Sequence, residues 1–248
     1  MLHDDLGADV PVTGPAARVV SLVPSLTEAI AATRPEALVG ATEWCTHPAD
    51  LDVARVRGTK NPDRRAVEAL APDLVICNRE ENRELDVQRL RAAGVPVWVS
   101  VIETLDQAFA AMRRLFDEAL DWGVPDWLER AESAWAEPLA DRGTVAVPIW
   151  RDPWMVVGPD TFTTDLLRRL GWRNAFDHGS DRYPHVAVTD VDTADVDLVL
   201  LPDEPYVFSA DDGPEAFSTA RTQLVSGRLL TWYGPSLLEA RTTLERLS

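Results

Sequence analysis

Arg18-Val-Val-Ser-Leu-Val-Pro-Ser-Leu-Thr-Glu28 is the stretch that decides how the rest of the chain is read. Its first five residues form a short apolar run that ends just before Pro24, which suits a buried strand. Ser25 then offers a hydroxyl with an acid three positions on, at Glu28, the capping-box spacing that opens a helix over 26–33. A strand that hands over directly to a helix is the unit from which parallel sheets are assembled.

Working outward, the same grammar repeats. Ala37 to Gly40 reads as a second strand, Arg64 to Leu70 as a short helix, and Pro72-Asp-Leu-Val-Ile-Cys77 as a buried strand. A helix over about 82–93, a strand from Val95 to Val99 and a helix over 104–121 continue it. Upstream, residues 1–17 carry Pro11, Gly14 and Pro15 without a hydrophobic period, and read as a loose lead-in. Pro125 to Asp141 breaks the alternation: proline at a first helical position, then Trp127, Leu128, Ala131, Trp135 and Leu139 at helical spacing, predicts a second helix in a row. Beyond it come strands at Val145–Trp150 and Trp154–Val157, a helix at 162–170 and a strand at Leu198–Leu201. A helix near 214–224, a strand at Arg228–Thr231 and a helix at 235–247 complete the chain. The expected fold is therefore α/β, with two Rossmann-like lobes built on central, mainly parallel sheets. The amino-terminal lobe would span 18–122, a single backbone helix 125–141 and the carboxyl-terminal lobe 143–248, with a ligand cleft between the lobes.

Composition narrows the function classes. The 248 residues carry 41 acidic against 24 basic side chains, a formal charge of -17, which repels nucleic acid and anionic lipid surfaces. No apolar run is long enough to insert into a membrane. The start, Met1-Leu2-His3-Asp4-Asp5, lacks the basic and apolar regions of a secretion signal, so a cytoplasmic location is expected, or a periplasmic one if an export signal has been removed. The two cysteines, Cys45 and Cys77, do not make a disulfide framework. A monomer that binds a small molecule, with no resident cofactor required, fits these bounds.

In open α/β sheets ligands lie beyond the carboxyl ends of the strands, so the loops there are the candidate site. They supply Ser25, Trp44, Arg57, Arg79 and Glu80 from the first half, and Trp150, Arg151, Trp154, Tyr183, Tyr206, Trp232 and Tyr233 from the second. Tryptophan and tyrosine offer wide faces to a flat ligand at low entropic cost, and arginine makes planar two-point contacts to carboxylates, amides or phosphate. Trp127, Trp135 and Trp172 read instead as ordinary packing residues. Cys45 and His47 alternate along an extended loop, so both could reach one metal with Glu43 or His185 completing the shell, or one of them could be an axial ligand to a bound chelate. The competing reading makes Cys45 a nucleophile with His47 or His185 as base, in a cysteine-dependent enzyme. No nucleophile elbow, phosphate-binding glycine loop or zinc-protease motif supports it.

Several segments together resemble the cobalamin and iron-siderophore substrate-binding proteins of ABC importers, whose two lobes are joined by a backbone helix. Arg18 to Glu28 is similar to that family's opening strand and helix. Leu38-Val-Gly-Ala-Thr-Glu-Trp-Cys-Thr-His-Pro48, Arg57-Gly58, Asn61-Pro62 and Leu70 to Ile76 continue the likeness. Gly158 to Leu170, Gly171-Trp-Arg-Asn174, Tyr183-Pro184 and Asp197 to Leu201 carry it to the second half. The resemblance implies a corrinoid or other metal-chelate ligand, cobalamin-like or haem-like, and a membrane permease as partner. Transport members present one glutamate on each lobe to permease arginines. An ungapped count puts Arg65 and Thr189 at those places, with Asp63 and Asp190 beside them, so docking of that kind is not expected.

Overall fold

The computed structural model describes residues 2–247. The chain divides into two compact units, one formed by residues up to Ile102 with Asp106–Ala131 and Tyr233–Pro235, the other by Glu103–Leu105, Glu132–Trp232 and the remainder from Ser236.

The first unit opens with a hairpin of β1 (Leu2–His3) and β2 (Asp9–Val10). Its sheet then uses β3 (Val19–Ser21), β4 (Leu38–Ala41), β5 (Ala54–Arg55), β8 (Leu74–Asn78) and β9 (Val97–Ser100), all parallel, in the order β5-β4-β3-β8-β9. Between β5 and β8 lie a small hairpin of β6 (Arg57–Gly58) and β7 (Asn61–Pro62) and the helix α2 (Arg64–Ala69). The helices α1 (Pro24–Thr33), α3 (Glu84–Ala92) and α4 (Leu105–Arg114) complete the pattern, α4 running on through a π-helical turn at Leu115–Ala119. Every residue of β3, β8 and β9 is buried, as the continuous apolar runs foretold for strands covered on both faces.

Local chemistry sets the helix starts. Asp63 caps α2 by accepting from Ala66 N at 3.2 Å, an arrangement worth about 1 kcal/mol. The expected capping box at Ser25 is not formed. Proline's fixed φ suits the first helical position, so α1 begins at Pro24 with Val23 as an uncapped N-cap, and Ser25 is buried inside its first turn.

The lead-in is not loose either. Asp4 is fully sequestered, and its carboxylate pairs with Arg91 and accepts from Val99 N at 3.3 Å. Asp5 pairs with Arg114, donates its own N–H to Val99 O at 3.1 Å and accepts from Val101 N at 3.0 Å. These two acids satisfy the outer edge of β9, a signal that hydrophobic periodicity does not carry. Removing Arg91 would strand the buried Asp4 carboxylate without its counter-charge, the kind of loss that destabilises a fold.

The helix expected over 125–141 is shorter: α5 spans Asp126–Trp135. Pro138 disfavours helical backbone at Glu137 and ends it early. Its tryptophans are core residues, with Trp127 Nε1 donating to Thr33 Oγ1 at 2.9 Å and Trp135 Nε1 to Leu237 O at 2.8 Å.

The second unit holds β10 (Gly143–Ala146), β13 (Trp172–Asn174), β14 (Leu198–Pro202) and β15 (Arg221–Val225) in a parallel sheet of order β13-β10-β14-β15. β11 (Pro148–Trp150) and β12 (Met155–Val156) form an antiparallel pair beside it. Helices are α6 (Phe162–Arg169), α7 (Val188–Val191), α8 (Gly227–Thr231) and α9 (Ser236–Leu244). Gly171, at φ 82°, takes the left-handed position just past α6. Two expectations are reversed here: 221–225 is a strand where a helix was expected, and 227–231 a helix where a strand was expected. Short apolar runs such as Leu229-Leu230 do not distinguish the two, and pairing with β14 decided the matter.

Asp192, at the end of α7, ties down the loop that leads into β15. Its carboxylate accepts from Ser218 N, Thr219 N and Ala220 N, each at 2.8 Å, and from Ser218 Oγ at 2.9 Å. These bonds, led by the one from Ala220, hold its pKa well below the usual carboxylate range. A depressed folded-state pKa gives stability that is complete above the ordinary aspartate range and fades as pH falls toward the folded value. Asp192→Ala should therefore lower the melting temperature at pH 7, and the gap from wild type should narrow steadily below about pH 4. Thermal denaturation followed by circular dichroism across that range checks this, and a gap independent of pH contradicts it.

Candidate functional site

At the carboxyl end of the first sheet, the strand-end loops are laced by two asparagines. Asn82 donates through Nδ2 to Leu22 O at 3.2 Å and to Thr59 O at 3.0 Å, and its Oδ1 accepts from Asn78 N at 2.9 Å. Asn78 donates to the Tyr233 hydroxyl at 2.7 Å and accepts from Glu80 N at 2.7 Å. Both asparagines are buried, which makes their full use of donors and acceptors necessary. Lys60, the only lysine in the sequence, donates to Glu80 O. Burial pushes the neighbouring Glu81 carboxyl up, with the Lys60 ammonium opposing.

Around this lacing, the expected residues divide. Trp44, in the loop after β4, is 66% exposed. Arg57 is exposed, at φ 65°, and faces Asp63 at 3.7 Å. Arg79 is exposed and Glu80 half-buried, while Ser25 and Tyr233 are buried.

Cys45 and His47 sit in different surroundings. The Cys45 thiol is fully buried, 3.0 Å from Thr27 Oγ1 and 3.1 Å from Thr42 Oγ1, whereas His47 is half-buried with Nδ1 3.2 Å from Thr46 Oγ1. Among the described residues no three His, Cys, Asp or Glu side chains are grouped to hold a metal ion. Burial pushes the Cys45 thiol up and that of Cys77 up to about 12, so neither is a ready nucleophile.

In the second unit, four expected residues gather. Trp150, at the end of β11 and 44% exposed, stands edge-on to Tyr206 with centroids 5.7 Å apart. Tyr206 leans on Phe208 at 4.7 Å, Phe208 stacks on Trp154 at 5.9 Å, and Trp154 meets Phe217 edge-on at 5.5 Å. Arg151 lies over Trp154 and binds Glu215 at 2.6 Å and Asp212 more closely. Its guanidinium thus pins the loop carrying Tyr206, a use the sequence did not reveal. The Arg151 hydrogen bond holds Glu215 below the usual carboxylate range, and the Asp212 carboxylate, accepting from the Tyr206 hydroxyl at 2.7 Å, pushes the phenol up. Tyr183 is half-buried and His185 exposed. Trp232 is buried, so its face is committed to packing.

The roles of Asn78, Asn82 and Asp212 were missed in the sequence. The only cue for the first two was an asparagine at each end of the loop Asn78-Arg-Glu-Glu-Asn82.

No family model matches the sequence. Among solved structures the chain is similar to a periplasmic haem-binding protein, BhuT, in complex with two haems: TM-score 0.78, 25% identity, covering 94% of this chain and 97% of that one. The periplasmic vitamin B12 binding protein BtuF of Vibrio cholerae gives a TM-score of 0.72 at 19% identity, covering 94% and 96%. The class is that of periplasmic-binding-protein-like receptors with paired α/β lobes. A vitamin B12-binding protein of Vibrio cholerae serotype O1 is 33% identical over 188 residues, 71% of this chain and 67% of that protein. The chain belongs to this cobalamin- and haem-type family of ABC substrate-binding proteins.

The relatives are binding proteins, and the buried thiol at Cys45 does not favour the enzyme reading. Those with a stated compartment are periplasmic, which lends no support to the cytoplasmic expectation. Among the described residues no helix is long and apolar enough to cross a membrane. Arg65 and Thr189 are both exposed, while Asp63 is occupied in capping α2 and Asp190 accepts from Ala187 N at 3.1 Å.

With both thiols sealed and their pKa values raised, neither cysteine should react with dithionitrobenzoate in the folded protein at pH 8. Two equivalents should appear on unfolding in guanidinium. Rapid reaction of one thiol in the native state would show that the Cys45 loop opens.

Proposed function

We propose that this chain is a receptor for a corrinoid, a cobalamin-like molecule, and that it works outside the cytoplasm. The observation that carries the reading is Trp44, a large aromatic face left 66% exposed on a strand-end loop whose neighbours are otherwise fixed by buried hydrogen bonds. An indole left this open offers a ready face to a ligand, and stacking is how a protein grips a flat macrocycle. The Trp150–Tyr206 pair in the second unit is a further aromatic face at a strand end.

Donor chemistry favours a corrinoid over haem. Haem iron takes an axial base from the protein, commonly histidine, thiolate or phenolate. Cys45 is buried as a thiol, and Tyr206 is engaged by Asp212 with its phenol pushed away from ionisation. Cobalamin brings its own axial base and asks chiefly for stacking and for partners to its amides, which Arg57 and Arg79 supply from exposed positions. The likeness to a haem-bound structure keeps a second reading in view, in which the half-buried His47 is the axial donor.

The family relation points to an ABC importer. The exposed Arg65 and Thr189 argue against docking through acid-arginine pairs, since arginine facing arginine is repulsive.

Cyanocobalamin should raise the melting temperature and bind saturably in an optical titration, and Trp44→Ala should weaken it by at least about tenfold. Haemin should give no Soret shift. No response to cobalamin or cobinamide sinks the corrinoid reading, and a Soret shift abolished by His47→Ala would replace it with the haem one.

A further inference from the structure

Gly58 lies in the hairpin of β6 and β7, where it pairs with Asn61. It is buried, and its backbone is not in the left-handed region, so conformational freedom does not explain a glycine there. Space does. A methyl group placed on Gly58 would lie 3.2 Å from Nε1 of Trp44 and 2.5 Å from Oδ1 of Asn61. The missing side chain therefore leaves room for the Nε1 edge of the indole and for the Asn61 carboxamide. The hairpin under it is itself fixed, since the next residue, Thr59, gives its carbonyl to buried Asn82 at 3.0 Å.

We infer that Gly58 is a positioning residue for ligand binding, the seat that holds the Trp44 ring ready to stack. The inference rests on the corrinoid reading and deepens it. A ring so exposed has little packing to fix its torsions, and a side chain that must be immobilised on binding lowers affinity. Both atoms nearest the added methyl belong to side chains, Asn61 Oδ1 being the closer, so alanine turns that carboxamide aside and shifts the indole edge by a few tenths of an ångström without forcing the backbone. What is lost is the preset orientation of the ring, expected to weaken binding by about two- to tenfold.

The test is a double-mutant cycle between Gly58→Ala and Trp44→Ala, read by cyanocobalamin titration, with circular dichroism melts to verify folding. Gly58→Ala should weaken binding when Trp44 is present and add nothing in the Trp44→Ala background. Equal weakening in both backgrounds, or none in either, overturns the inference. A readout without ligand stands beside it: the indole N–H resonance of Trp44, identified by its disappearance in Trp44→Phe, should shift in Gly58→Ala. An unmoved resonance also overturns the inference. If the resonance moves but the wild-type protein takes up no corrinoid, the seat stands and the corrinoid reading falls.

Discussion

When parallel strands end, their last backbone groups have to find partners, and in the first unit one buried side chain meets much of that need. Asn82 reaches the carbonyls after β3 and in the β6–β7 hairpin while accepting from the end of β8. Three loops from separate parts of the sequence are thereby fixed to one another. Carboxamide suits this task because it offers two donors and an acceptor without charge, so burial carries no ionic desolvation cost. The hairpin next to Trp44 is placed by that arrangement.

The second unit solves the same problem differently. Its strand-end loop after β14 is held by ionic contacts, Arg151 with Asp212 and Glu215, and by a chain of aromatic rings running from Trp150 to Phe217. An arginine that the sequence offered as a ligand contact is thus spent on the protein's own carboxylates. Charges of this kind are screened by salt where the buried amides are not, so the two units should differ in how their loops respond to ionic strength.

Much of the fold was legible because fully covered strands are continuous apolar runs, and Leu74 to Cys77 or Leu198 to Leu201 can be little else. The errors have physical sources. Pro24 displaced the helix start from Ser25, since a fixed φ outweighed an available hydroxyl. The amino-terminal hairpin was invisible because two carboxylates and a single buried valine, Val10, hold it in place, too few apolar residues to make a period. For the candidate site the loops could be named but not the fate of each ring. Trp44 and Trp232 both follow strand-like segments, yet one is open and the other packed, and only tertiary contacts separate them. Gly58 gave no sign at all, because what matters there is an absence of atoms opposite a residue fourteen positions away.

The hairpin formed by Leu2–His3 and Asp9–Val10 has a consequence for solubility. A parallel sheet with a bare outer strand is a template on which another molecule can add a strand of its own, and fibrils grow that way. Here β9 meets Asp4 and Asp5 instead, and the opposite border is β5, only two residues long. Clipping the first ten residues would bare the edge of Val97-Trp-Val-Ser100, the kind of border on which another chain can pair.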